Sequence, residues 1–250
     1  MSEPPRLKKT APVRFSARTL ALCFAGLALG LAAPQASAAG PTGSSSVAQS
    51  GGGGVPAEGD VRQVADWVVQ SADNGGRPFV IIDKVNARVF VFGDRGEFRG
   101  SSPALLGLTR GDDAVPGIGD QKLSNIRPDQ RITPAGRFVA AIGRDFEGRD
   151  VVWIDYAGGI AMHRVITSNP AEHRLDRLAT ATTLDNRISF GCINLPVKFY
   201  ESVVRPAFTG ADGVVYILPE VKSLRQVFFE HDEARSRTVV TGAPAPRSGQ

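Results

Sequence analysis

The spacing of apolar residues along the chain changes period after Gly76. Val61, Val64, Ala65, Val68 and Val69 recur at helical intervals in VRQVADWVVQSA, which predicts one amphipathic helix stopped by Asn74-Gly75-Gly76. From Phe79 the texture becomes that of strands. FVIIDKVNARVFVFGDRGEF (79–98) holds two β-rich runs broken at Lys84-Val85-Asn86 and followed by a Gly-Asp-Arg-Gly turn, the pattern of a hairpin entering a sheet. Residues 103–138 read as a short strand, a long Gly/Pro/Asp-rich loop over 108–132, and a Thr133-Pro134-Ala135-Gly136 turn. RFVAAI (137–142), DVVWIDY (150–156), GIAMHRV (159–165) and GVVYILP (213–219) predict further strands. Helical spacing returns in AEHRLDRLATA (171–181), VKFYESVVRP (197–206) and EVKSLRQVFFEH (220–231). Strands predominate, so the expected class is mostly β, with antiparallel sheets and a few packing helices.

The two ends break this pattern. Arg6, Lys8, Lys9, Arg14 and Arg18 precede the apolar run TLALCFAGLALGLAA, and Ala36-Ser37-Ala38 follows it. These are the three parts of a secretory signal peptide, so residues 1–38 are expected to be removed on export to the periplasm or cell envelope. The run falls short of the roughly 18 apolar residues that span a bilayer, and no stable membrane span is expected after cleavage. Residues 39–60 read as a flexible Gly/Ser-rich linker and 233–250 as a disordered tail, which leaves 61–232 as one domain. The chain's net charge of +4 resides in the leader, because residues 1–38 hold five basic residues and one acidic residue. The remainder is balanced, and nothing in it argues for nucleic acid as a partner.

The chemistry is narrowed by scarcity. The chain has two cysteines and three histidines. Cys23 lies in the apolar leader and is expected to leave with it, so Cys192 is the thiol the exported protein keeps. His and Cys residues are too few and too scattered to suggest a zinc site, and no phosphate-binding glycine loop precedes a helix. No metal and no cofactor are therefore expected. What remains is a thiol nucleophile paired with an imidazole, Cys192 with His163 at a predicted strand end. The alternative is a small buried cysteine and a satisfied core histidine, and the residue pattern alone leaves both open.

Ser189-Phe190-Gly191-Cys192-Ile193-Asn194, with His163 upstream on a strand, resembles the signature of the L,D-transpeptidase catalytic-domain (YkuD-type) family. The resemblance extends to the strand pair, to Leu106-Gly107 and to Thr133-Pro134-Ala135-Gly136-Arg137-Phe138, and covers about residues 79–219. It implies an L,D-transpeptidase-like β-sandwich and an exported cysteine acyltransferase that cross-links or modifies peptidoglycan stem peptides through a cysteinyl thioester. By position, Cys192 is the nucleophile and His163 holds the thiolate as an imidazolium pair, lowering the thiol pKa. The N–H groups of Gly191 and Cys192 form an oxyanion hole, and Ser189 and Asn194 order the loop. Arg164 and Arg187 are candidates for gripping substrate carboxylates.

Two departures stand out. Phe190 occupies the place of a family histidine, and NPAEHRLDRLATATTLDN lengthens the interval between His163 and Cys192. His173, within that insertion, and His231 read as solvated. Two other outcomes stay compatible with the motif: an L,D-carboxypeptidase-type hydrolase on the same scaffold, and an inactive cell-wall-binding module.

Overall fold

The computed structural model describes residues 59–230. The expected leader, nearly all of the linker, the tail, Cys23 and His231 lie outside the described residues. No helix among those described is long and apolar enough to cross a membrane.

Helix α1 (Gly59–Ser71) buries Val61, Val64, Ala65 and Val68, the stripe its spacing predicts. The hairpin follows as β1 (Phe79–Asp83) and β2 (Arg88–Phe92), paired antiparallel from Phe79–Phe92 to Asp83–Arg88. The Asp83 carboxylate accepts from the Asn86 backbone and side-chain N–H groups and so shapes the turn. Strands β3 (Phe98–Pro103), β4 (Leu106–Gly107), β5 (Gly136–Arg144), β6 (Asp150–Asp155), β7 (Ile160–Arg164), β8 (Arg187–Ser189), β9 (Ile193–Leu195) and β10 (Gly213–Ile217) complete the set.

Eight strands form one sheet in the order β3-β2-β1-β10-β5-β6-β7-β9, with β4 and β8 as a separate pair. Just past β3, Leu105 exchanges two backbone hydrogen bonds of 2.9 Å with Asn194 of β9, at the opposite edge. The sheet thereby nearly closes on itself, and the mostly-β sandwich expected from the sequence is present. Strands β1, β2 and β10 are covered on both faces, which is why they read as continuous apolar runs rather than alternating ones. Their outer face packs on α1 and Phe228, with Phe79 stacked on Phe92 at 4.8 Å.

The inner face holds a core of Val80, Val89, Val152, Met162, Ile193 and Val215, into which a helix projects Tyr200, Val204 and Phe208. That helix runs through α3 (Val197–Phe199), a π-helical stretch (Tyr200–Val204) and α4 (Arg205–Phe208). The widened turn falls just before Pro206, which has no N–H to donate to the preceding turn.

The pairing is not wholly antiparallel. β1–β10, β4–β8 and β7–β9 are parallel, each joined through a long crossover that a local sequence pattern does not reveal. The 108–132 segment is built from three short 3-10 turns that bury Ile118 and Ile126. Its base is closed by a bridge between Thr109 and Ile132.

Candidate functional site

The parallel pair β7–β9 sets the site. Met162 stands opposite Ile193, His163 opposite Asn194 and Arg164 opposite Leu195. Ile160, Met162, Ile193 and Leu195 enter the inner core. Strand alternation therefore turns Ala161, His163, Cys192 and Asn194 to the other face. Cys192 is the residue immediately before β9, so it lies beside Ala161 and diagonally across from His163. A parallel register thus brings together two residues 29 positions apart.

The turn carrying the thiol is held on three sides. Gly191 has φ +129°, and a Cβ there would lie 2.7 Å from the Ile132 carbonyl oxygen and 2.8 Å from the Ile160 Cδ1, so only glycine fits. Thr133 Oγ1 accepts from Gly107 N–H (2.9 Å) and donates to the Gly191 carbonyl (2.8 Å). Ser189 Oγ donates to the Cys192 carbonyl at 2.6 Å, and Asn194 Nδ2 donates to the same oxygen at 3.3 Å. Ser189 and Asn194 thus order the loop. Of the two N–H groups that the resemblance implies for an oxyanion hole, that of Gly191 donates to Ser189 Oγ at 3.1 Å. The Cys192 N–H has no hydrogen-bond partner among the described residues.

His163 Nδ1 lies 2.7 Å from the Arg164 carbonyl oxygen. A carbonyl only accepts, so Nδ1 carries the proton in the neutral ring and Nε2 is the free basic nitrogen. The half-buried Cys192 places its Sγ 3.4 Å from the Gly159 carbonyl. No hydrogen bond joins the two residues. Burial pushes the Cys192 thiol up, against the Ala161 backbone N–H and the Arg174 guanidinium, which pull it down. Burial also pushes His163 down; its bond to the Arg164 carbonyl opposes this, Arg174 and Arg149 add to it, and Asp145 works against it. Both shifts favour the uncharged forms. That direction is opposite to the thiolate–imidazolium pair that the family resemblance implies.

Arg174 is the residue that sequence reasoning missed. It stands at the start of α2 (Arg174–Ala179), in the insertion, with a side chain 12% exposed. Its Nη1 donates to Asn194 Oδ1 at 2.7 Å and its Nε to Glu172 at 2.5 Å. Through Asn194 it braces the Cys192 carbonyl, and its charge acts on both Cys192 and His163. His173, exposed and in a left-handed conformation beside Asp176, stays outside the site.

The structure gives both predicted arginines other partners. Arg164 binds Asp150 and Glu201 and stacks on Tyr200 at 4.4 Å. Arg187, 12% exposed, binds the buried Glu220 at 2.5 Å and donates to the Lys84 carbonyl at 2.7 Å. It belongs to a buried clasp in which Lys84 Nζ donates to Asp112 (2.7 Å) and to the carbonyls of Gly111 (2.5 Å) and Thr133 (2.9 Å). Burial pushes the Asp112 carboxyl up, but Lys84 and the backbone N–H groups of Lys222, Glu220 and Val221 outweigh it and hold it at about 2. Burial pushes the Lys84 ammonium down. With three oxygens around Nζ, the charged pair is the state that this geometry supports.

A cavity of about 340 Å³ adjoins His163, lined also by Asp145, Arg149, Arg164, Val165 and Thr167. A larger one, about 470 Å³, lies between β5 and α4 and includes neither Cys192 nor His163. Among the described residues no three His, Cys, Asp or Glu side chains are grouped as metal ligands.

No family model matches the chain, and no curated protein matches it. Several solved structures resemble it. The helical cell shape determining protein Pgp2 from Campylobacter jejuni is 17% identical, with 64% of this chain and 56% of that chain covered and a TM-score of 0.37. An L,D-transpeptidase from Mycobacterium smegmatis is 17% identical over 56% of this chain and 58% of that chain, at a TM-score of 0.31. The catalytic domain of the E. faecium L,D-transpeptidase is 18% identical over 57% of this chain and 98% of that chain, at 0.27. The chain spans 58% of the LD transpeptidase LdtMt1 and 56% of Pgp2. Likenesses this loose leave the chemistry to be read from the residues themselves.

Proposed function

We propose that this protein is an exported cysteine acyltransferase of the L,D-transpeptidase kind, acting in the cell envelope on peptidoglycan stem peptides. The observation that carries the reading is the shared face of Cys192 and His163 on the β7–β9 pair, with the thiol's turn fixed by Ser189, Thr133 and Asn194.

As a donor peptide enters, the neutral His163 accepts the thiol proton at Nε2 while Sγ bonds to the carbonyl carbon of the scissile amide. The Arg164 carbonyl holds the ring and steadies the imidazolium that forms. The Cys192 N–H faces the oxyanion. Collapse breaks the C–N bond, His163 returns its proton to the departing D-alanine amine, and a thioester remains on Cys192. An acceptor amine then loses a proton to His163 and takes the acyl group, which restores the thiol.

The test is to incubate the exported domain with tetrapeptide-stem muropeptides and read the products by mass spectrometry. The proposal expects crosslinked dimer or another amine adduct. Trimmed tripeptide alone identifies a hydrolase, and unchanged substrate a wall-binding module.

A further inference from the structure

We propose that Arg131, stacked on Phe190, forms the subsite for the donor peptide's terminal carboxylate; this rests on the acyl-donor reading above. Other arginines around the site already face acids. Arg164 lies within reach of Asp150 and Glu201, Arg174 of Glu172, Arg187 and Arg110 of Glu220, and Arg149 of Asp145 and Glu147. Arg131 has no carboxylate within 4.0 Å among the described residues. Its Nε and Nη2 both donate to one backbone oxygen, that of Ile126, at 3.2 and 3.1 Å, and Nη1 has no partner.

The guanidinium is nevertheless held firmly. It lies 4.0 Å from the centroid of the Phe190 ring, two residues before the nucleophile. Behind it, Thr109 N–H donates to the Arg131 carbonyl at 3.0 Å, and Thr133 Oγ1 bonds the Gly191 carbonyl at 2.8 Å. The cation is therefore fixed relative to Cys192 by the same short segment, 131–133, that supports the turn.

A half-buried guanidinium always carries its charge, and here no acid among the described residues compensates it. Its open N–H groups suit a planar anion, and a fixed stack reduces the ordering cost of binding one. Phe190 takes part by being aromatic. The ring that stands in place of a family histidine serves as the platform for the arginine, and the site exchanges a proton-bearing group for a permanent positive charge. In an L,D-specific donor the carboxylate nearest the scissile bond is that of the departing D-residue, one residue beyond the attacked carbonyl.

The experiment compares two acetylated tetrapeptides, one ending in D-alanine carboxylate and one in D-alanine amide. Each is titrated as a protectant of Cys192 against iodoacetamide in wild type, Arg131→Gln and Arg131→Lys. The wild type is expected to favour the carboxylate by about tenfold or more, the range of a charge-assisted hydrogen bond. Arg131→Gln should lose that preference, and Arg131→Lys should keep part of it. A preference unchanged in Arg131→Gln, equal weakening of both peptides, or no protection by either overturns the subsite. Product formation is measured alongside. A wild type that discriminates between the peptides but converts neither keeps the subsite and removes the acyltransferase reading. A wild type that converts donor with a preference insensitive to Arg131 does the reverse.

Discussion

The Lys84 clasp and the Cys192 site share a residue and differ in almost everything else. Thr133 serves both, accepting from Lys84 Nζ through its carbonyl and donating to the Gly191 carbonyl through its hydroxyl. In the clasp every charge has an answer. Lys84 meets Asp112 and two carbonyls, Arg187 meets Glu220, and Asp112 also receives three backbone N–H groups. At the candidate site two polar groups are left open. His163 Nε2 and the Cys192 N–H have no partners among the described residues, while the Cys192 thiol donates to the Gly159 carbonyl at 3.4 Å. Saturated polar groups hold segments together, and groups left unsaturated on a rigid mount are available to a substrate.

The largest expected difference between the two regions lies in what their removal changes. His163→Ala should slow turnover by about 10²–10⁴-fold with little change in melting temperature, since it removes the proposed base. The pH profile sharpens this. Burial pushes His163 below its ordinary value, so the base is already neutral at pH 6.5 and the acid limb of kcat/KM should fall below that pH. The Cys192 thiol is pushed up, so its alkylation should accelerate only above the ordinary thiol range. An alkylation midpoint at or below the range of free cysteine contradicts the neutral pair.

The clasp should behave in the opposite way. Asp112→Ala takes the hydrogen-bonded acid from the buried Lys84, leaving Glu220 at 3.7 Å, and should cost about 3 kcal/mol in urea unfolding. Asp112 is held at about 2 against an ordinary 3.8, so its contribution is present above pH 3.8 and is lost as pH falls toward 2. That loss should amount to about 2 kcal/mol. A clasp that merely decorates the fold would show neither effect.

Thr133→Val breaks the comparison at its common member. The variant leaves the Gly107 N–H and the Gly191 carbonyl unpaired and should lose about 1–3 kcal/mol of stability. Turnover should also drop, with the pH profile unmoved. The smallest expected effect is that of Arg174→Gln, about tenfold on kcat. Its midpoint for Cys192 alkylation should shift upward because a positive charge near the thiol is gone. An unchanged midpoint assigns Arg174 to bracing alone.

Helix α1 and the β1–β2 hairpin were legible because their signals are local: a 3.6-residue stripe, and two apolar runs around Lys84-Val85-Asn86. Cys192 and His163 were legible as a motif on a strand-rich background. The closure of the sheet through Leu105 and Asn194 was not, since pairing between segments so far apart leaves no local period. Nor were the roles of the arginines. Arg164 and Arg187 looked available because Asp150, Glu201 and Glu220, which engage them, lie elsewhere in the chain. Arg174 sits among alternating charges in AEHRLDRLATA, and only the packing of α2 on Asn194 singles it out. Whether a charge is answered depends on the folded structure.

The most direct test of the account is intact-protein mass spectrometry after rapid quenching of the protein with a tetrapeptide-stem donor. The predicted result is an adduct of the donor less D-alanine, on Cys192, released by hydroxylamine and absent in Cys192→Ala, which should also lose all turnover while melting as the wild type does. Continued conversion of the donor by Cys192→Ala, or turnover with no thioester on Cys192, would contradict it.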